Sequence, residues 1–184
     1  MLYLIRHGES EYNRLGLLCG RHDSALTEQG KNAAKLAGEQ LKDIRFDAAF
    51  CSPLVRAEET CRLVLSVNRG PVPEIIKDQR IIERSFGDFE AKPLADTPDI
   101  DRRWDVRFDA ASRHMESLEH MVERVRSFVQ CLQSRYAGKN VLAVSHNGTI
   151  RAFRLILENY PPLDQLDSIA PLGIGNAQIL QLPL

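Results

Sequence analysis

Five short apolar runs, each closed by polar or turn residues, constrain this chain more than anything else in it. They fall at residues 2–5, 46–51, 73–77, 141–144 and 177–182. Runs of this length match buried strands and are too short for helices. Between them, apolar residues recur at threes and fours. Thr27 is placed to cap a helix reaching about Lys42, with Ala33, Leu36, Ala37 and Leu41 on its inner face. Ser52 followed by Pro53 reads as a cap and a proline at the first helical position, opening a helix over 54–67. Leu118, Met121, Val122, Val125, Phe128, Val129 and Leu132 form the stripe of a long helix over 117–136, which Gly138 ends. A further helix is expected over 149–157. This alternation predicts an α/β fold, a three-layer α/β/α sandwich with a mainly parallel central sheet. Residues 81–115 fit the pattern least. The segment is longer than a crossover needs, with a short helix at about 99–108, and is expected to cover the active edge of the sheet.

A length of 184 residues suits one domain, 1–184. Lys plus Arg number 24 against 25 Asp plus Glu, a formal charge of -1. No global basic field therefore favours nucleic acid or an anionic membrane as partner, and any attraction for an anion must be local. No apolar stretch approaches a membrane span, and Arg6 interrupts the first run too early for a signal peptide, so a cytoplasmic protein is expected. Cys19, Cys51, Cys61 and Cys131 form no CxxC pair or zinc-finger spacing and read as reduced thiols, with Cys51, Cys61 and Cys131 in the core. Oligomeric state leaves no trace in the sequence.

The strand ends carry the chemistry. Arg6 and His7 follow the first strand, Ser52 and Arg56 the second, and His146 the run at 141–144. In a parallel α/β sheet these ends share one edge, the edge where ligands bind. Two arginines, two histidines and the helix start near Asn147 and Gly148 would converge there, and free N–H groups at helix starts bind anions. The set suits a tetrahedral dianion. No glycine-lysine phosphate loop is present, so a nucleoside triphosphate is not expected. His7, His146 and a carboxylate are metal-ligand types, but the flanking arginines would repel a cation, and neither metal nor cofactor is expected. His22 and His120 read as surface or structural residues.

Leu4-Ile5-Arg6-His7-Gly8-Glu9-Ser10, then Asn13, the stretch from Gly20 to Thr27, and Gly30 resemble the signature of the histidine phosphatase superfamily, with its phosphoglycerate mutase-like fold. Cys51-Ser52-Pro53-Leu54 with Arg56 and Thr60 resembles its second motif, and Glu83 with Phe86-Gly87 and Phe89-Glu90 its acid motif. The stretch from Val144 to Arg151 resembles its last motif. The resemblance implies that His7 is the nucleophile that becomes phosphorylated, and that Arg6, Arg56 and His146 grip the phosphoryl oxygens. It makes Glu83 the acid that protonates the leaving oxygen and then activates water. Asn13, Cys19, Gly20 and Asn147 would contact phosphate or substrate. Cys19 stands where relatives commonly carry Ser, Thr or another polar group, Asn147 where glycine is frequent, and Ala91 where glycine is common. His114-Met115 replaces a glycine-rich turn.

The function these features imply is hydrolysis of a small phosphomonoester without metal. A phosphoglycerate mutase is the alternative, since Arg102-Arg103 resembles the paired arginines of mutases. Mutases carry a longer insertion and a C-terminal tail over the site, whereas Leu184 closely follows the last strand, which favours the phosphatase. A catalytically silent phosphate-binding module is the reading from another class.

Overall fold

The computed structural model describes residues 1–97 and 99–184, so that Pro98, within the 81–115 segment, lies outside the described residues. In chain order the elements are β1 (Leu2–Arg6), α1 (Glu11–Arg14), α2 (Glu28–Gln40), β2 (Ala48–Cys51) and α3 (Val55–Ser66). They continue with β3 (Ile75–Lys77), α4 (Leu118–Arg135), β4 (Val141–Ser145), α5 (Asn147–Leu157) and β5 (Ile179–Leu182). The strands form one sheet in the order β3-β2-β4-β1-β5. All neighbours are parallel except β5, which runs antiparallel to β1.

Strand side chains alternate between two cores. Leu2, Leu4, Ala48, Phe50, Val141 and Ala143 pack with α4 and α5 on one face. Tyr3, Ile5, Ala49, Cys51, Leu142 and Val144 pack with α2 and α3 on the other. Strands covered on both faces read as continuous apolar runs, which is why they were so visible in the sequence. The three-layer sandwich and mainly parallel sheet are thus as expected.

Several local expectations need correction. The inner face of α2 is Gly30, Ala34, Ala37 and Gly38, while Leu36 is 65% exposed and Ala33 half-buried. Small residues win because the backbones approach closely: a Cβ on Gly38 would stand 2.6 Å from the Val64 carbonyl oxygen in α3. Ser52 does not cap α3. Leu54 occupies that position, and Asp23 Oδ1 instead accepts from Val55 N at 2.9 Å. Helix α5 starts at Asn147, with His146 at its N-cap. The helix expected at about 99–108 is a 3-10 turn, Ile100–Trp104, in a segment of such turns. Cys51 and Cys61 are buried and Cys131 is only half-buried. His22 and His120 are exposed. No helix among the described residues is long and apolar enough to cross a membrane.

Candidate active site

Parallel register brings three strand ends together. Arg6 lies opposite Ser145, and Cys51 opposite Val144. His7 N donates to Ser145 O and Ser52 N to Val144 O, both at 3.0 Å, which carries the ladder one residue further. His7, Ser52 and His146 therefore leave the sheet at one edge.

The His7 ring is buried, with Nδ1 2.6 Å from the Gly8 carbonyl oxygen. A carbonyl only accepts, so Nδ1 carries the hydrogen. Burial, then the charges of Arg56 and Arg6, hold the imidazole pKa well below its usual value, against the opposite pull of the Gly8 carbonyl. The ring is neutral at pH 7, and its lone pair sits on Nε2. A nucleophilic imidazole needs that tautomer.

Beside His7, Arg6 Nε, Arg56 Nε and His146 Nδ1 are buried and have no hydrogen-bond partner among the described residues. Arg6 is anchored from behind through Nη1, Arg56 through both Nη atoms, and His146 through Nε2. Arg6 Nη1 donates to Ile174 O at 2.7 Å; Arg56 Nη1 and Nη2 donate to His22 O at 2.7 Å and Gly20 O at 2.6 Å. His146 Nε2 lies 2.7 Å from Ser52 Oγ, and the two imidazole centroids are 5.1 Å apart. Ser52 Oγ accepts from Leu54 N, and its buried hydrogen finds no acceptor among the described residues other than His146 Nε2, which assigns the ring hydrogen to Nδ1. Burial, then Arg56 and His7, keep His146 neutral. An unpaired buried donor costs roughly 1–3 kcal/mol. Three such donors around one imidazole form a built cavity for an anion that supplies acceptors.

Glu83 comes from the segment after β3 and is buried. Its Oε1 accepts from Arg84 N at 2.8 Å and its Oε2 from Gly148 N at 3.2 Å. A Cβ on Gly148 would collide with the Glu83 carboxylate and stand 3.0 Å from the Trp104 ring, so glycine is required where the start of α5 meets the acid. Arg21 Nε donates to the Glu83 carbonyl at 3.1 Å, and its Nη2 lies 3.1 Å from the Glu116 carboxylate.

The cleft is about 130 Å³, well below the roughly 300–1,000 Å³ of drug-sized sites. Arg6, His7, Arg56 and Glu83 line it together with Asn13, Cys19, Gly20 and Asn147, so every residue expected at the site except His146 lines this cleft, and His146 lies beside His7 with the two rings tilted by 57°. Ser10 and Asn13 cap α1 reciprocally, and Asn13 Nδ2 donates to Cys19 Sγ at 3.5 Å. Burial raises the Cys19 pKa above its ordinary value and keeps it a thiol. Gly20 has a φ of +52°, and a Cβ there would strike the Glu90 carboxylate. The Asn147 side chain turns away to accept from Ile174 N at 3.0 Å.

Sequence reasoning missed Trp104 and Asn176, and named Arg103 only as half of a mutase-like pair. Trp104 lines the cleft and is ringed by guanidinium groups, Arg151 at 4.3 Å and both Arg84 and Arg103 at 5.6 Å. Arg103 lines the cleft too, with a buried, unpartnered Nε. Asn176 Nδ2 donates to the His7 carbonyl at 3.0 Å and to Asn13 Oδ1 at 3.3 Å. The missing signal was strand direction: the start of an antiparallel β5 lies at the same edge as the ends of the parallel strands.

Comparison with known proteins gives the family. The family model of the histidine phosphatase superfamily (branch 1) matches residues 2–182. A phosphoglycerate mutase from Schizosaccharomyces pombe is 36% identical over 170 residues, covering 86% of this chain and 79% of that protein. The structure of YhfR from Bacillus stearothermophilus superposes with a TM-score of 0.84 at 28% identity, covering 97% of this chain and 88% of that one. A mycobacterial glucosyl-3-phosphoglycerate phosphatase, solved as a complex with VO3, gives 0.81 at 26% identity with the same coverage. The chain belongs to the histidine phosphatase superfamily.

Proposed function

We propose that this protein hydrolyses a small phosphomonoester through a phosphohistidine on His7. The observation that carries the reading is the neutral His7, its Nε2 lone pair free, beside three unpartnered donor nitrogens. Arg6, Arg56 and His146 receive the phosphoryl oxygens. Nε2 attacks phosphorus, the bond from phosphorus to the ester oxygen breaks, and Glu83 in its acid form passes its proton to that oxygen. Water then attacks phosphorus while passing a proton to the Glu83 carboxylate, and the phosphorus–nitrogen bond breaks with its electron pair returning to His7 Nε2, releasing inorganic phosphate. The guanidinium charges offset charge on the transferring group, the task a metal ion performs elsewhere. Phe86, Leu94, Arg103 and Trp104 bring the 81–115 segment over the cleft, and its small volume suits a small ester.

One observation favours a second reading, a phosphoglycerate mutase. Arg103 offers an unpartnered Nε inside the cleft, placed for a second anionic group such as a carboxylate, whereas Arg102 is directed to Asp105 at 3.5 Å. A panel of phosphate esters separates the readings, with 3-phosphoglycerate included and EDTA in a parallel series. Inorganic phosphate released in the presence of EDTA, with no 2-phosphoglycerate formed, supports the phosphatase. Interconversion of the two phosphoglycerates stimulated by bisphosphoglycerate supports the mutase. Phosphate bound, with neither release from any ester nor interconversion of the phosphoglycerates, refutes both.

A further inference from the structure

Four polar groups at the active edge form a chain whose polarity is fixed by chemistry. Ser10 N–H is an obligatory donor, and it lies 3.2 Å from one oxygen-or-nitrogen end of the Asn13 amide, which must therefore be Oδ1. The His7 carbonyl is an obligatory acceptor, and it lies 3.0 Å from one end of the Asn176 amide, which must be Nδ2. That same Nδ2 donates its second hydrogen to Asn13 Oδ1 at 3.3 Å. Both hydrogens of the Asn176 amide are thus spent on the nucleophile's backbone and on Asn13. With Oδ1 held by two donors, the Asn13 amide can present only its NH₂ end on the opposite side. One of those hydrogens goes to Cys19 Sγ at 3.5 Å, and the other remains for the cleft that Asn13 lines.

We propose that Asn176 is a positioning residue that locks the Asn13 amide with its NH₂ toward the cleft, and so makes Asn13 a donor to a bound phosphoryl group. Without this lock the Ser10 N–H alone holds Oδ1, across the short first turn of α1. A rotated amide would present Oδ1 to an anion already crowded by its own oxygens. The role rests on the reading of the cleft as a phosphoryl site. It assigns to the segment before β5 a part in substrate binding, exercised through Asn13 without contact to the phosphate itself.

The test is a double-mutant cycle read by vanadate and inorganic phosphate affinity in titration calorimetry, with p-nitrophenyl phosphate kinetics alongside. Asn176→Ala adds no charge and removes both donors. Bonds from a neutral donor to a charged acceptor support an expectation of about tenfold weaker vanadate binding. KM for p-nitrophenyl phosphate should rise by a similar factor, with kcat changing less. In an Asn13→Ala background the same substitution should change affinity less than about twofold, because its target is gone. Equal losses in both backgrounds would overturn the proposal, as would an unchanged affinity in the single variant. Should Asn176→Ala fail to fold, Asn176→Asp keeps the shape and cannot donate. Asp also adds a charge that repels vanadate whether or not Asn13 is present. The proposal then requires that the loss in the wild-type background exceed the loss in the Asn13→Ala background, and equal losses again overturn it. Failure of the wild-type protein to bind either anion would instead refute the phosphoryl-site reading and this inference with it.

Discussion

Two regions fed by the same strands obey opposite rules. In β2, Phe50 meets Phe128 of α4 edge-to-face at 5.3 Å, and Phe128 meets Phe153 of α5 at 5.9 Å. Nothing in that cluster asks for a polar partner. Two residues beyond Phe50, Ser52 stands at the active edge, where His7, His146 and Arg56 are buried. There the donors Arg6 Nε, Arg56 Nε and His146 Nδ1 are left open. The aromatic layer supplies the stability that a site of unmet donors lacks. Rigid strand ends also hold those donors apart, where flexible loops would let them find partners of their own.

The sharpest way to break this contrast is to change the acid. Glu83→Gln keeps size and one of the two backbone contacts, since its NH₂ end cannot accept from an N–H, and it cannot transfer a proton. For an alkyl phosphate the phosphorylation step should fall by about 10²–10⁴-fold, and far less for p-nitrophenyl phosphate, whose leaving group departs readily. Burst-phase rates make the comparison, because in the proposed mechanism Glu83 also serves the later water step. Equal losses for both substrates would remove the acid role from Glu83. The converse change is Phe128→Ala, expected to destabilise by about 3–5 kcal/mol in urea unfolding while leaving turnover per folded molecule within a few-fold. A comparable loss of turnover would mean that core and site are not separable.

The smallest effect is a slope. His7 and His146 are held neutral with their pKa values well below the usual one. The unfolded chain therefore binds more protons than the folded one below about pH 6.5. Stability should fall as pH drops through that value, each ring contributing up to about 1.4 kcal/mol per pH unit until its folded pKa is reached. His146→Gln should remove about half of this slope in thermal melts, and inorganic phosphate should flatten it by favouring the charged rings. A slope unchanged by the variant would show that other groups govern acid unfolding.

Much of this contrast was legible in the sequence because two-sided burial writes strands as unbroken apolar runs, and because Arg6, His7, Ser52 and His146 end them. What escaped reading depends on three-dimensional approach. The inner face of α2 follows Gly30, Ala34, Ala37 and Gly38, since close backbones reward small residues over Leu36. Arg56 was legible as a site residue, but its burial was not, since it sits in the first turns of a helix like a surface charge; it is 1% exposed because loop carbonyls of Gly20 and His22 fold over it. Ser52 resembled a helix cap, but its hydroxyl turns toward His146 Nε2. Asn176 carried no signal until the direction of β5 was known.

The central claim is that His7 Nε2 forms a bond to phosphorus. Enzyme mixed with ³²P-labelled substrate and quenched within a turnover should retain label that is stable to base and released by acid. The label should be absent from His7→Ala and map to the peptide containing residues 1–14. An acid-stable phosphoserine or phosphothreonine, or label that persists in His7→Ala, would contradict the account.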